Sequence, residues 1–172
     1  MTQPLYTIAE ILAATGGSSD LAPDISINSV SIDSRELGPD ALFVAIKGDR
    51  FDGHDFVDKA LENGAVAALV SRDEGERRIV VADALEGLRD LARAARVRSR
   101  AMVVGVTGSV GKTTTKEAIR VVFEAAGDTH ASIKSFNNHW GVPLLPPRAS
   151  PDAPFCRWRF WIEEPDQVAS AR

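Results

Sequence analysis

Apolar and polar positions along this chain change period several times, and the changes mark its elements. Residues 7–14 (TIAEILAA) predict a short helix, with Thr7 and Glu10 in the T-x-x-E capping-box pattern and Gly16-Gly17 to end it. "INSVSID" (27–33) and "ALFVAI" (41–46) predict strands joined through the turn-forming Gly38-Pro39-Asp40. "DFVDKALENGA" (55–65) predicts an amphipathic helix with Phe56, Ala60 and Leu61 on one side and Gly64 near its end. "VAALVS" (66–71) and "RRIVVA" (77–82) have the composition of short buried strands. Between 83 and 98, Leu85, Leu88, Leu91, Ala92 and Ala95 recur at helical spacing, while Arg89, Arg93 and Arg96 lie mostly elsewhere, as on a solvated face.

From residue 101 the pattern becomes strand, loop, helix: "AMVVGV", "TGSVGK", then "TTTKEAIRVVFEAAG" with Gly127 as the stop. No internal repeat is visible. Residues 145–172 break the pattern: Pro146-Pro147, Pro151 and Pro154 interrupt backbone hydrogen bonding, and Cys156, Trp158 and Trp161 fall in the same stretch. The expectation is an irregular segment, either a flexible tail or the product of a slipped reading frame, and the composition break favours the second.

Composition narrows the class. A chain of 172 residues suits one ordinary domain or two small ones, and 44 % apolar with 26 % charged residues is a globular balance. A net charge of −4 without a long basic face argues against a nucleic-acid partner. The longest apolar runs, such as Ala65 to Val70, are too short to span a bilayer, so no membrane insertion is expected. The amino terminus lacks a basic region followed by an apolar one, so no secretory signal is read, and the expected compartment is the cytoplasm. Cys156 has no second cysteine to pair with, and His130 and His139 are too few and scattered for a metal-ligand set.

The stretch Gly105 to Lys112 carries the most specific chemistry. After a buried strand, Gly108 and Gly111 allow a tight turn that aims several N–H groups at one point. The helix beginning near Thr113 adds its unpaired N–H groups and positive dipole end. Lys112 can then reach the β- and γ-phosphates, and the Thr113 hydroxyl can ligate Mg²⁺. The strict G-x-x-x-x-G-K-[ST] form places its first glycine where this chain has Val106, and Gly105 and Gly108 flank that position instead. On these residues alone a generic P-loop NTPase remains open.

"GVTGSVGKTTTKE" resembles the ATP-binding signature of the Mur ligases, T-G-[ST]-x-G-K-T. Two more segments strengthen the resemblance, in the right order. "SIDSRELGPDALFVAIKGDRFDGHDFV" (31–57) is similar to the segment by which that family holds its UDP-sugar substrate, and "KSFNNHWGVPL" (134–144) to the next motif of its central domain. Asn137 to Gly141 is most similar to the member that adds D-alanyl-D-alanine to a UDP-N-acetylmuramoyl-tripeptide. The motifs cover roughly residues 5–144.

The resemblance implies an α/β fold: a small amino-terminal substrate domain over 1–98 and the start of a P-loop, parallel-sheet ATP-binding domain over 101–144. Residues 145–172 lie outside the resemblance and are expected as an irregular tail, with a slipped reading frame as one of its two readings. The implied activity is ATP-dependent amide ligation in peptidoglycan precursor synthesis through an acyl phosphate. ATP and Mg²⁺ are the implied cofactors, UDP-N-acetylmuramoyl-peptide and D-alanyl-D-alanine the substrates, and a monomer the expected state. Thr107, Gly108, Ser109, Val110, Gly111, Lys112, Thr113 and Thr114 would hold ATP together with Asn137 and Asn138, with Lys112 catalytic and Thr113 on the metal.

Ser34, Arg35, Lys47, Gly48, Gly53 and His54 would bind the UDP-sugar. From the residues alone, Asp33–Arg35 reads equally well as a local salt bridge and His54 as a helix N-terminal residue. The family places a magnesium-binding glutamate on the strand after "GVPL". Here that segment reads "FCRWRFWIEEPDQ", where Glu163 and Glu164 beside Pro165 are not assigned that role. The expectation is therefore an inactive fragment of such a ligase. The alternatives are a non-catalytic UDP-sugar or ATP-binding module, another member of the family, or an unrelated small P-loop NTPase.

Overall fold

The computed structural model describes residues 4–48, 50–72, 75–98, 103–104, 106, 110–127, 129 and 157–158. Its first helix, α1 (Ile8–Thr15), starts as the capping box requires. The Glu10 N–H donates to the Thr7 hydroxyl at 3.3 Å and the Thr7 N–H to the Glu10 carboxylate at 2.7 Å. Gly16 closes α1 at φ 65°, its N–H returning to the Leu12 carbonyl.

Strand β1 (Tyr6–Thr7) pairs antiparallel with β2 (Ser26–Ile27). The main sheet contains β3 (Ser29–Ser31), β4 (Ala41–Val44), β5 (Ala65–Val70) and β6 (Arg78–Val80), in that order and all parallel. The single strand expected over 27–33 is thus two strands in two sheets. Asn28 divides them: its N–H and side-chain amide donate to the Asp40 carbonyl and carboxylate at 3.0 and 2.7 Å. That pins the chain to the turn at Asp40, which adopts φ 44° in the left-handed region that Asp tolerates.

Alternation along β4 sorts the core into two layers. Leu42, Val44 and Ile46 join Val30, Ala67, Leu69 and Ile79 beneath α1 and α3 (Ala84–Arg98), with Ile8, Ile11, Leu88 and Leu91. Phe43 and Ala45 face the other way, onto Ala65, Ala68, Val70 and the Val57 and Ala60 of α2 (Val57–Glu62). Both sheet faces are covered, as parallel strands require. Helix α3 lies close to the sheet because Gly87 carries no Cβ; one placed there would sit 3.0 Å from the Leu69 side chain. The Asp83 carboxylate caps this helix by accepting from the Glu86 N–H at 2.8 Å. Its outward arginines form i,i+3 pairs, Arg89 with Glu86 and Arg93 with Asp90.

The helix expected over 55–65 begins earlier and ends sooner. A 3₁₀ turn at Gly53–Phe56 precedes α2, and Asn63 with Gly64 at φ 105° terminates it. The amino-terminal arm is fastened to the end of α3. The Tyr6 hydroxyl donates to the Leu91 carbonyl at 2.7 Å, and the Arg98 guanidinium lies 4.4 Å from the Tyr6 ring centroid while donating to the Leu5 carbonyl at 2.8 Å.

Strand β7 (Val103–Val104) pairs in parallel with β8 (Arg157–Trp158), and α4 (Lys112–Glu124) follows β7. This corrects the reading of 145–172 as wholly irregular. The stretch between Pro154 and Pro165 is free of proline and rich in aromatic residues, the composition that favours an extended strand. Among the described residues no helix is long and apolar enough to cross a membrane.

Leu91 is fully buried between the α1 side and the sheet. Leu91→Ala is expected to cost about 2–5 kcal/mol, and Tyr6→Phe about 1 kcal/mol through its lost hydrogen bond, both read from urea unfolding midpoints.

Candidate functional site

Because both faces of the sheet are packed with apolar side chains, its polar groups gather where the strands end. The carboxyl ends of β3, β4 and β5 lead into Asp33–Arg35, Lys47–Gly48 and Ser71–Arg72. In open parallel sheets this rim is where ligands bind.

After β3, the Arg35 guanidinium grips Asp33 in a bidentate pair, Nε to Oδ1 at 2.9 Å and Nη2 to Oδ2 at 2.6 Å. The Arg35 N–H also donates to Asp33 Oδ1. These bonds, the guanidinium first, draw the Asp33 carboxyl down to about 2. The salt bridge left open by the sequence is present, and the Arg35 side chain remains 78 % exposed. Ser34 is buried, its carbonyl accepting from the Asn63 side chain at 2.9 Å. Asn63, at the end of α2, thereby ties the turn after β3 to that helix.

After β4 the chain makes a tight loop. Lys47 and Asp52 face each other in an isolated antiparallel bridge, and the Gly48 N–H donates to the Phe51 carbonyl at 2.9 Å. Gly53 presses on the strand end: its N–H donates to the Ile46 carbonyl, and a Cβ there would lie 2.6 Å from both the nitrogen and the oxygen of Ile46. Glycine is therefore required by a backbone contact.

His54 is locked from both sides. Its Nδ1 lies 2.6 Å from Asp52 Oδ1, and its Nε2 accepts the Ser71 N–H at 3.0 Å, with the Ser71 hydroxyl at 3.1 Å. Accepting a backbone N–H requires an unprotonated Nε2, so Nδ1 carries the proton and donates to Asp52. Asp, His and Ser stand in the order of a hydrolytic triad. The Nε2 lone pair is already occupied by Ser71's own backbone, so it is not available as a base for the hydroxyl. The His54 side chain is 9 % exposed. The His54 backbone N–H first, then its ring, hold the Asp52 carboxyl below its ordinary value. The second Asp52 oxygen accepts from Arg72 at 2.8 Å.

The structure thus gathers Ser34, Arg35, Lys47, Gly48, Gly53 and His54 at one rim and adds Asp52, Asn63, Ser71 and Arg72, which the sequence reading did not single out. The Asp52-x-His54 spacing was a usable signal, because an aspartate just before a helical turn commonly accepts the N–H two residues on. Nothing in the sequence marks the pairing of Ser71 with His54.

At the second motif, Gly111 occupies the N-cap of α4 at φ 78° and offers no side-chain cap, and Lys112, Thr113 and Thr114 form the first turn. Among the described residues nothing lies within 4 Å of a Cβ placed at Gly111, Val110, Thr113 and Thr114 are exposed, and the first turn contains no acidic residue. Such a helix start, with a positive dipole end and no acid in its first turn, suits an anionic group. One turn on, Lys116 is buried and paired with Glu117, which also accepts from Arg120. Thr107, Gly108, Ser109, Asn137 and Asn138 lie outside the described residues.

Two family descriptions match in succession: "Mur ligase family, catalytic domain" over residues 26–107 and "Mur ligase middle domain" over 106–154. The chain belongs to the Mur ligase family. The match to the Mur ligase middle domain runs ten residues beyond the last motif read from the sequence (154 against 144). Among curated relatives, the UDP-N-acetylmuramoyl-tripeptide–D-alanyl-D-alanine ligase of Synechocystis is 39 % identical over 156 residues, covering 88 % of this chain and 34 % of the relative. The Escherichia coli ligase of the same name is 41 % identical over 131 residues, covering 75 % and 29 %. Among solved structures, MurF from Acinetobacter baumannii superposes with a TM-score of 0.82 at 29 % identity, over 95 % of this chain and 37 % of that one. MurF from Thermotoga maritima in complex with ADP gives 0.68 at 34 % identity, over 82 % and 34 %. The chain spans about a third of the length of the curated relatives it matches.

Two variants test the rim as built. Gly53→Ala forces a side chain into the Ile46 backbone and is expected to cost about 1–3 kcal/mol in unfolding free energy. Asp33 has a depressed folded pKa, so its contribution is complete above the unfolded value near 4 and disappears as pH falls through about 2. Being exposed, the pair is worth no more than about 1 kcal/mol. The stability gap between wild type and Asp33→Asn is expected to be constant from pH 7 to 5 and to narrow from pH 4 to 2, read from urea midpoints.

Proposed function

We propose that these residues form the UDP-sugar-binding domain (1–98) and the beginning of the ATP-binding domain (from 101) of a cytoplasmic ligase that joins D-alanyl-D-alanine to a UDP-N-acetylmuramoyl-tripeptide. The observation that carries this reading is the pairing of two sites in one chain: a basic, hydrogen-bonded rim built from the substrate motif, and a glycine-capped helix beginning Lys112-Thr113. The relatives that match over most of the chain are named for that reaction, and the Thermotoga maritima neighbour was solved with ADP.

At the first site, Arg35 and Lys47 are exposed cations available to the diphosphate, and Ser34 with the Gly48 loop would border the nucleotide. Gly53 and His54 serve by shape: one allows the loop to touch the β4 end, the other latches it to the end of β5. At the second site, Lys112 would neutralise the β- and γ-phosphates while the amides from Thr107 to Thr114 cradle them. Asn137 and Asn138 would complete the nucleotide contacts. When bound, ATP supplies the phosphoryl group that activates the peptide carboxylate, and Mg²⁺, held in part by the Thr113 hydroxyl, balances its charge. The protein's own contribution is to fix the two ligands in line and to hold positive charge where negative charge collects.

Residues 1–172 alone are proposed to bind without sustained turnover, since no glutamate of "FCRWRFWIEEPDQ" is assigned to the metal. Calorimetric titration tests the reading. ATP with Mg²⁺ and UDP-N-acetylmuramoyl-tripeptide should each bind, Lys112→Ala should weaken ATP at least tenfold while sparing the uridine nucleotide, and ligation of D-alanyl-D-alanine should stay near background. Binding of neither ligand would refute it; vigorous ligation would refute the inactive-fragment part.

A further inference from the structure

Arg72 is a charged group at this rim that the assigned chemistry does not use. It directly follows β5, the strand next to β4 in the sheet, and its side chain is 49 % exposed. Its Nη2 touches one oxygen of Asp52. Lys47, exposed, flanks the same aspartate from across the isolated bridge. Asp52 therefore stands between two exposed cations from neighbouring strand ends. It does not need Arg72 to perform its structural task, because its other oxygen accepts both the His54 N–H and the His54 ring. The Arg72–Asp52 contact is also of the kind that adds little to stability, an exposed ion pair through a single nitrogen. Arg72 is thus pointed at the rim by a weak partner, with a planar fork of donors that matches phosphate oxygens.

We propose that Arg72, exchanging its contact with Asp52, binds the diphosphate of the uridine nucleotide together with Lys47. The inference rests on the reading of this rim as a uridine-nucleotide site and adds to it a residue outside the substrate motif. A diphosphate brings about two negative charges where Asp52 brings one, so the exchange is favoured electrostatically without disturbing the His54 latch. Arg35, already held bidentate by Asp33, sits on the far side of β4 and would close the other flank.

The test is titration of the 172-residue chain and its Arg72→Ala and Arg72→Lys variants with UDP and with uridine, alongside thermal melts. Expected results are a loss of roughly tenfold in UDP affinity for Arg72→Ala, partial recovery for Arg72→Lys, unchanged uridine affinity, and melting temperatures equal to wild type. Equal UDP affinity in wild type and Arg72→Ala overturns the inference and leaves the uridine-nucleotide site standing. An equal loss for UDP and uridine also overturns it, since Arg72 would then shape the loop and not contact phosphate. A wild-type chain that ignores UDP removes the underlying reading and the inference together.

Discussion

Burial of both faces of a parallel sheet is the constraint from which the rest of this structure follows. Consecutive residues from Ala41 to Ala45, β4 and the residue after it, are shielded from solvent, alternate ones by α1 and α3 on one side and by α2 on the other. No polar side chain can be placed along such a strand without losing its hydration, so charge and hydrogen-bonding groups are displaced to the strand ends. Substitutions in the layers will therefore register as changes in stability, and substitutions at the carboxyl rim mainly as changes in binding.

Two short aspartate turns organise that rim, and they are built alike. In Asp33-Ser34-Arg35 and in Asp52-Gly53-His54 the first carboxylate accepts the backbone N–H two residues on, at 3.0 Å in both, and also meets the side chain of that residue. The outcome differs with the residue at the third position. Arginine projects its charge into water, whereas histidine turns inward and uses its remaining nitrogen to fix Ser71. One turn exposes a cation and the other stiffens the loop beside it. Rigidity close to the exposed charge limits the ordering that a ligand must impose on binding.

Much of this was legible in the sequence because it depends on local rules. The capping box of α1, the apolar stripe of α3 and the order of the elements all follow from spacing within a few residues. The candidate rim residues were also found together, since the segment 31–57 supplies two adjacent strand ends. What escaped were features fixed by contacts distant in sequence. The split at Asn28 depends on Asp40, the tether on Ser34 depends on Asn63, and the role of His54 depends on Ser71. The strand at Arg157–Trp158 was obscured differently: prolines on both sides outweighed, in a reading by composition, an uninterrupted aromatic stretch between them.

Helix capping separates the two sites in a way that bears on their chemistry. Helices α1 and α3 satisfy N–H groups of their first turns with Thr7 and Asp83, while α4 begins at a glycine with no side chain to offer. A glycine N-cap costs about a few tenths of a kcal/mol relative to a good side-chain cap, and Gly111 at φ 78° rules out the usual Ser, Thr or Asp without strain. Helix α2 also lacks a side-chain cap but runs on from the 3₁₀ turn that Asp52 caps, whereas α4 starts uncapped at a glycine where Lys112 and two threonines gather. The omission is understandable if an anionic ligand takes the place of the missing oxygen, because the stabilisation forgone in the free chain then returns as binding free energy.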